Sequence, residues 1–94
     1  GISSLTLLGR VREILAQHGY RPSQVDVAVV AERPKLAPYI GAMRRNIAQA
    51  LAIPVGAVSV KATTPEGLGA LGRGEGIAAW AVALIQRAEE DHAR

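Results

Sequence analysis

The sequence predicts an α/β fold of two layers, a small mixed sheet with helices on one face. Three observations predict it. Two stretches, 25–31 and 57–63, alternate at the period of a strand. Two others, 1–19 and the run after Pro38, place apolar residues at helical spacing. Each helical stretch precedes a strand, the order from which helix-on-sheet layers are built. The 94 residues are 49% hydrophobic and 20% charged, so one folded domain is expected rather than a disordered chain. Only 3% are aromatic and none is Phe, so the core must be Val, Ile, Leu and Ala.

The first helix is expected over 1–19. Leu5, Leu8, Val11 and Leu15 form its stripe, and Leu7 and Ile14 widen it. Gly19 is a plausible stop. Gly9 costs about 1 kcal/mol relative to Ala inside a helix, so it marks close packing. Pro22 is expected to end the connection. The strand at 25–31 puts Val25, Val27 and Val29 on one face and Asp26, Ala28 and Val30 on the other. So apolar a strand is expected to be covered on both faces. Residues 32–38 turn into a second helix, where proline is tolerated in the first turn. Its buried stripe is Ile40, Met43, Ile47, Ala50 and Leu51, with Arg44, Arg45 and Gln49 outward; Pro54 and Gly56 close it.

The second strand, Val58-Ser-Val-Lys-Ala-Thr63, runs through Thr64 and Pro65 into a loop with Gly67, Gly69, Gly72, Gly74 and Gly76. Glycine frees backbone N–H groups to form an anion nest. Thr63 and Thr64 can donate hydrogen bonds, Lys61 and Arg73 can neutralise charge, and Glu66 can offer oxygen to a hard divalent cation. That mix suits a phosphate or diphosphate with its metal ion. On spacing alone a plain glycine-rich hairpin loop is an equal reading, because the stretch is no Walker loop. The segment 77–86 reads as a doubly covered strand returning as a hairpin partner, although its alanines favour helix. Residues 87–94 read as a charged tail. The sheet face away from the helices is also apolar, and self-association is expected to cover it.

The formal net charge is +3 and the pI about 10.0. The basic residues are scattered, and two Tyr and one Trp make no stacking platform, so nucleic acid is not the expected partner. The lack of cysteine excludes disulfides and thiolate zinc sites and fits a cytoplasmic location. No signal-peptide pattern and no run long enough to span a bilayer are present in the 94 residues, so no membrane role is expected.

Two separated motifs carry a resemblance. Ala62-Thr-Thr-Pro-Glu-Gly-Leu-Gly with Gly72-Arg-Gly-Glu-Gly-Ile-Ala-Ala, and Val27-Ala-Val-Val-Ala-Glu-Arg-Pro-Lys-Leu-Ala-Pro-Tyr-Ile, resemble the bacterial 2-C-methyl-D-erythritol 2,4-cyclodiphosphate synthases. The resemblance covers essentially all of 1–94, as one domain similar to the C-terminal portion of that enzyme. It implies a cytoplasmic homotrimeric phosphorus–oxygen lyase of the non-mevalonate isoprenoid pathway. There the 2-phosphate of 4-diphosphocytidyl-2-C-methyl-D-erythritol 2-phosphate attacks its own diphosphate and CMP leaves. It further implies zinc, a second ion such as Mg²⁺ or Mn²⁺, and sites between subunits.

By position, the resemblance implies that Ala31, Pro34, Lys35 and Leu36 line a cytidine pocket. Ala62, Thr63 and Thr64 would meet the nucleotide and its phosphates, with Thr64 polarising the diphosphate. Glu66 would hold the second ion. Arg73 would serve the substrate side and lie with Glu75 near the threefold axis. Taken singly, these residues read more readily as structural or solvated groups: Lys35 as a helix-start lysine, Thr63 and Thr64 as strand-end threonines, and Arg73 with Glu75 as an exposed ion pair worth about 0–1 kcal/mol. Tyr39, Pro65, Ala70-Leu71 and Trp80 depart from the family pattern. So does the lack of an Asp-x-His pair: His18 and His92 read as surface residues, and zinc ligands are expected outside these residues. The alternative reading is a non-catalytic oligomeric nucleotide-binding module.

Overall fold

The computed structural model describes residues 3–88. Helix α1 spans Ser4–Gln17 and follows an N-cap at Ser3, whose hydroxyl accepts the Thr6 amide at 3.1 Å. It stops at Gly19, which adopts a φ of 81° that a side chain would resist. Strand β1 is Tyr20–Ala31, helix α2 is Ile40–Leu51 and strand β2 is Val58–Thr63. A short helical turn, α3, spans Gly69–Gly72, and strand β3 is Ile77–Arg87. Short 3-10 turns at Ala37–Tyr39 and Val55–Ala57 lead into α2 and β2. Of the charged tail expected at 87–94, Arg87 ends β3 and residues 89–94 lie outside the described residues, His92 among them.

The sheet order is β2-β1-β3, with β1 parallel to β2 and antiparallel to β3. The mixed two-layer α/β architecture is therefore the expected one. The pairing of the last strand is not. β3 was expected to return beside β2 as a hairpin, but it pairs with β1 from Tyr20↔Arg87 to Ala31↔Ile77. β2 has six residues, whereas β1 has twelve, so only β1 can satisfy the backbone of an eleven-residue strand. Pro22 likewise sits inside β1 rather than ending a connection. Pairing with β2 begins only at Val25, so Pro22 lies where β1 has a single neighbour and its missing N–H costs no bond. The register shifts between Pro22 and Gln24, as proline at a bulge permits.

The core lies between α2 and the two parallel strands. Ala48, Val58 and Val60 are its centre, packed by Val27, Ile40, Met43, Ile47 and Ile53. Val25, Val29, Ala31 and Leu51 are also buried. Gly9 faces α2, but a methyl group there would stand 3.9 Å from the Ala50 carbonyl oxygen, an ordinary contact, so the close packing expected of this glycine is not required. The α1 stripe is less covered than its spacing predicts. Leu8 and Leu15 are half-buried, while Leu5, Leu7, Val11 and Ile14 are exposed.

Within one chain only one face of the sheet is covered. Asp26 and Ala28 of β1 face solvent, on the face that self-association was expected to cover. β3 is exposed over nearly its whole length, with Trp80, Val82 and Leu84 about two-thirds bare. Two helices reach across two strands, and the third lies beyond them.

Candidate functional site

Because β1 and β2 are parallel, their carboxyl ends open on the same side, with Val30 opposite Thr63. Such strand ends, followed by two different loops, are where open α/β sheets hold ligands. The residues 32–39 leave β1 toward α2, and the residues 64–76 leave β2 toward β3. Between them is a cavity of about 210 Å³ lined by Ala31, Lys35, Leu36, Ala37, Ala62, Thr63 and Thr64.

Six of these seven residues are the ones singled out from the sequence. Ala31 ends β1 and Ala62 is the penultimate residue of β2, and their methyl side chains leave room for a flat ligand. Leu36 adds an apolar wall, Lys35 a cation, and Thr63 and Thr64 two hydroxyls. Ala37 is the liner that sequence reasoning missed; an alanine in a 3-10 turn carries no chemical signal. Pro34 is not among the liners. It is exposed and joined to Arg33 by a cis peptide bond in the connection behind Lys35.

Glu66, Arg73 and Glu75 also stand outside this cavity, on the glycine loop. The loop is not a hairpin but a unit closed on itself. Its amides bond inward: Leu68 to Pro65 at 3.1 Å, Gly72 to Leu68 at 3.0 Å, Arg73 to Gly69 at 3.1 Å, Gly74 to Leu71 at 3.1 Å and Glu75 to Ala70 at 3.0 Å. Glu66 is exposed at a φ of 55°, one of two non-glycine residues with positive φ among those described. Arg73 donates to Glu75, and both are largely solvent-exposed. The loop is flanked by the β1–α2 connection. The Glu32 carboxylate lies 3.9 Å from where a Gly67 Cβ would stand, and Arg33 Nε lies 3.4 Å from that of Gly74.

A second hollow, of about 280 Å³, lies on the open sheet face. Its rows follow the register: Ser59, Asp26 and Val82 in one, Lys61, Ala28 and Trp80 in the next. Among the described residues no three His, Cys, Asp or Glu side chains cluster where they could hold a metal ion. Zinc, which takes about three protein ligands at a catalytic site, has no fitting set there. A magnesium-type ion, which takes one or two carboxylates together with phosphate oxygens and water, is compatible with Glu66.

These features can be set beside known proteins. The 2-C-methyl-D-erythritol 2,4-cyclodiphosphate synthase of Desulforamulus reducens is 55% identical over 87 residues, which are 93% of this chain and 55% of that protein. The chain thus spans about half the length of the curated relatives it matches. The crystal structure of the Plasmodium vivax synthase superimposes with a TM-score of 0.86 at 39% identity, over 90% of this chain and 57% of that one. The CDP complex of Plasmodium falciparum IspF superimposes with a TM-score of 0.84 at 29% identity, over 90% and 55%. A family model matches residues 1–86, nearly the whole chain and both loops of the cavity, and by that match the chain belongs to the YgbB family.

Proposed function

We propose that this chain supplies the nucleotide-binding part of a 2-C-methyl-D-erythritol 2,4-cyclodiphosphate synthase. The carrying observation is the cavity at the ends of β1 and β2, where six residues expected to meet cytidine and its phosphates share one surface. Homologous synthases and a CDP-bound relative support the reading. The reaction is cyclisation of 4-diphosphocytidyl-2-C-methyl-D-erythritol 2-phosphate in isoprenoid biosynthesis, a phosphorus–oxygen lyase reaction of the bacterial cytoplasm. An oxygen of the 2-phosphate bonds to the β-phosphorus, the bond from that phosphorus to the bridging oxygen breaks, and CMP departs with that oxygen.

The chain's residues act by holding and by neutralising charge. Ala31, Ala62 and Leu36 take the base in an apolar slot, with the connection through Pro34 giving its backbone to the base edge. Lys35 balances phosphate charge. Thr63 and Thr64 donate hydroxyl bonds to the diphosphate, and Thr64 polarises it as negative charge shifts to the leaving CMP. Arg73 adds positive charge from the loop. Glu66 holds in part a Mg²⁺ or Mn²⁺ ion, which when bound offsets the charge of the diphosphate. The zinc of the full-length enzymes has its ligands elsewhere. The bare sheet face of β3 is buried in a homotrimer, which also brings the sites to subunit boundaries.

Calorimetric titration with CDP and UDP tests the nucleotide reading. We expect saturable CDP binding in Mg²⁺ that exceeds UDP binding about tenfold or more, since a site built to hydrogen-bond one base edge penalises the other. Equal affinities, or no CDP binding, would overturn it.

A further inference from the structure

One wall of the cavity is the β1–α2 connection and the other is the end of β2, from which the chain continues through Thr64 into the glycine loop beside that connection. The loop's own amide bonds, from Leu68 to Glu75, all close within it. They make it a rigid unit but do not attach it. Besides the packing of α3 against β1, two adjacent side chains of the β1–α2 connection lie beside it. Glu32 lies against Gly67, near the start of the loop, with its Oε1 3.9 Å from the position of a Gly67 Cβ. Arg33 lies against Gly74, near its end, with Nε at 3.4 Å and Nη2 at 3.5 Å from the position of a Gly74 Cβ. Both glycines have positive φ, 78° and 75°. Both side chains lie at ordinary van der Waals distance from where a Cβ would stand, beside stretches of loop backbone that glycine leaves uncovered.

The neighbouring charges leave Arg33 to this contact. Arg73, the loop's cation, is already paired with Glu75. Among the described residues Arg33 has neither a carboxylate partner nor a hydrogen-bonded side chain. Arg33 is exposed, and its guanidinium lies beside Gly74. Arg33 is also two residues before Lys35 and one before Pro34, so whatever orders it acts on the cavity wall at once.

We propose that Arg33 is a positioning residue that latches the glycine loop to the nucleotide-binding connection, so that Glu66 and the cavity threonines are presented as one surface. This rests on the nucleotide reading for its consequence, but the latch itself does not.

The experiment is amide hydrogen exchange by NMR on the wild-type protein, Arg33→Ala and Arg33→Lys, followed by CDP titration with and without Mg²⁺. For Arg33→Ala we expect the Gly72, Arg73, Gly74 and Glu75 amides to exchange roughly five-fold faster, while those of β1 and β2 keep wild-type rates. Arg33→Lys retains the stem and charge but not the planar face, and should fall between. Mg²⁺-dependent CDP binding should weaken about three- to ten-fold in Arg33→Ala, with metal-free binding nearly unchanged. Wild-type exchange at the loop amides in Arg33→Ala would overturn the latch. Faster exchange throughout the sheet would overturn it too, since Arg33 would then be a general stabiliser. Absence of CDP binding by the wild-type protein would remove the nucleotide reading and leave the exchange result to decide the latch.

Discussion

Gly72 has the least latitude of any residue in the glycine loop. A methyl group on it would overlap the carbonyl carbon of Gly67, which is backbone and cannot swing aside. Gly72→Ala should therefore open the loop, at a cost of about 1–3 kcal/mol. The check is loss of protection at the amides of Gly72 to Glu75, with strand amides unaffected. Lys35 and Thr64 make the functional counterpart. Lys35→Ala and Thr64→Val should each weaken CDP binding about five- to twenty-fold, with thermal unfolding within a degree or two of wild type, because both side chains are exposed. Residues of this kind are legible in sequence because their chemistry is: hydroxyls, a cation and small residues at strand ends. Ala37 and the contacts of Glu32 and Arg33 were not legible. An alanine announces nothing, and a guanidinium resting on a distant glycine leaves no periodicity to read.

At the scale of elements, the joint between α2 and β2 deserves a test of its own. Helical spacing puts Arg44 on the wet face of α2. Instead it reaches over the 3-10 turn, donating from Nε to the Val58 carbonyl at 2.8 Å and from Nη2 to the Val55 carbonyl at 3.0 Å. These bonds set where β2 starts, and Val58, the most buried residue at 1% exposure, seals the same point. Arg44→Met, which keeps much of the stem, should destabilise the protein by about 1–2 kcal/mol in urea unfolding. Val58→Ala should cost about 1.5–3 kcal/mol by removing packed methyl groups. The helices and the two parallel strands could be read from periodicity, since α2 and β2 each bury one face. The pairing of β3 could not. Strand patterns give a face but not a neighbour, and the neighbour was decided by length, twelve residues of β1 against six of β2. The glycine loop hid its order for a different reason: its bonds are backbone to backbone, invisible in side-chain patterns.

At the scale of the whole molecule, the single chain is expanded and one-sided. Its radius of gyration is 15.6 Å, against about 12 Å for a compact domain of this length. Trp80, Val82 and Leu84 of β3 stand exposed on the open face. The trimer we propose covers them. Trp80 is the one tryptophan, so its fluorescence should be blue-shifted and protected from quenchers in the assembled protein. Val82→Lys should give a monomer by sedimentation, with red-shifted emission. No helix among the described residues is long and apolar enough to cross a membrane. The charge pattern still leaves the cavity at the strand ends as the place where chemistry collects. An NMR titration of the labelled protein with CDP and Mg²⁺ tests that most directly. We expect saturable shifts at Ala31, Lys35, Leu36, Ala62, Thr63 and Thr64, reaching Glu66 when the metal ion is present. Shifts confined to the open sheet face, or none at saturating CDP, would contradict it.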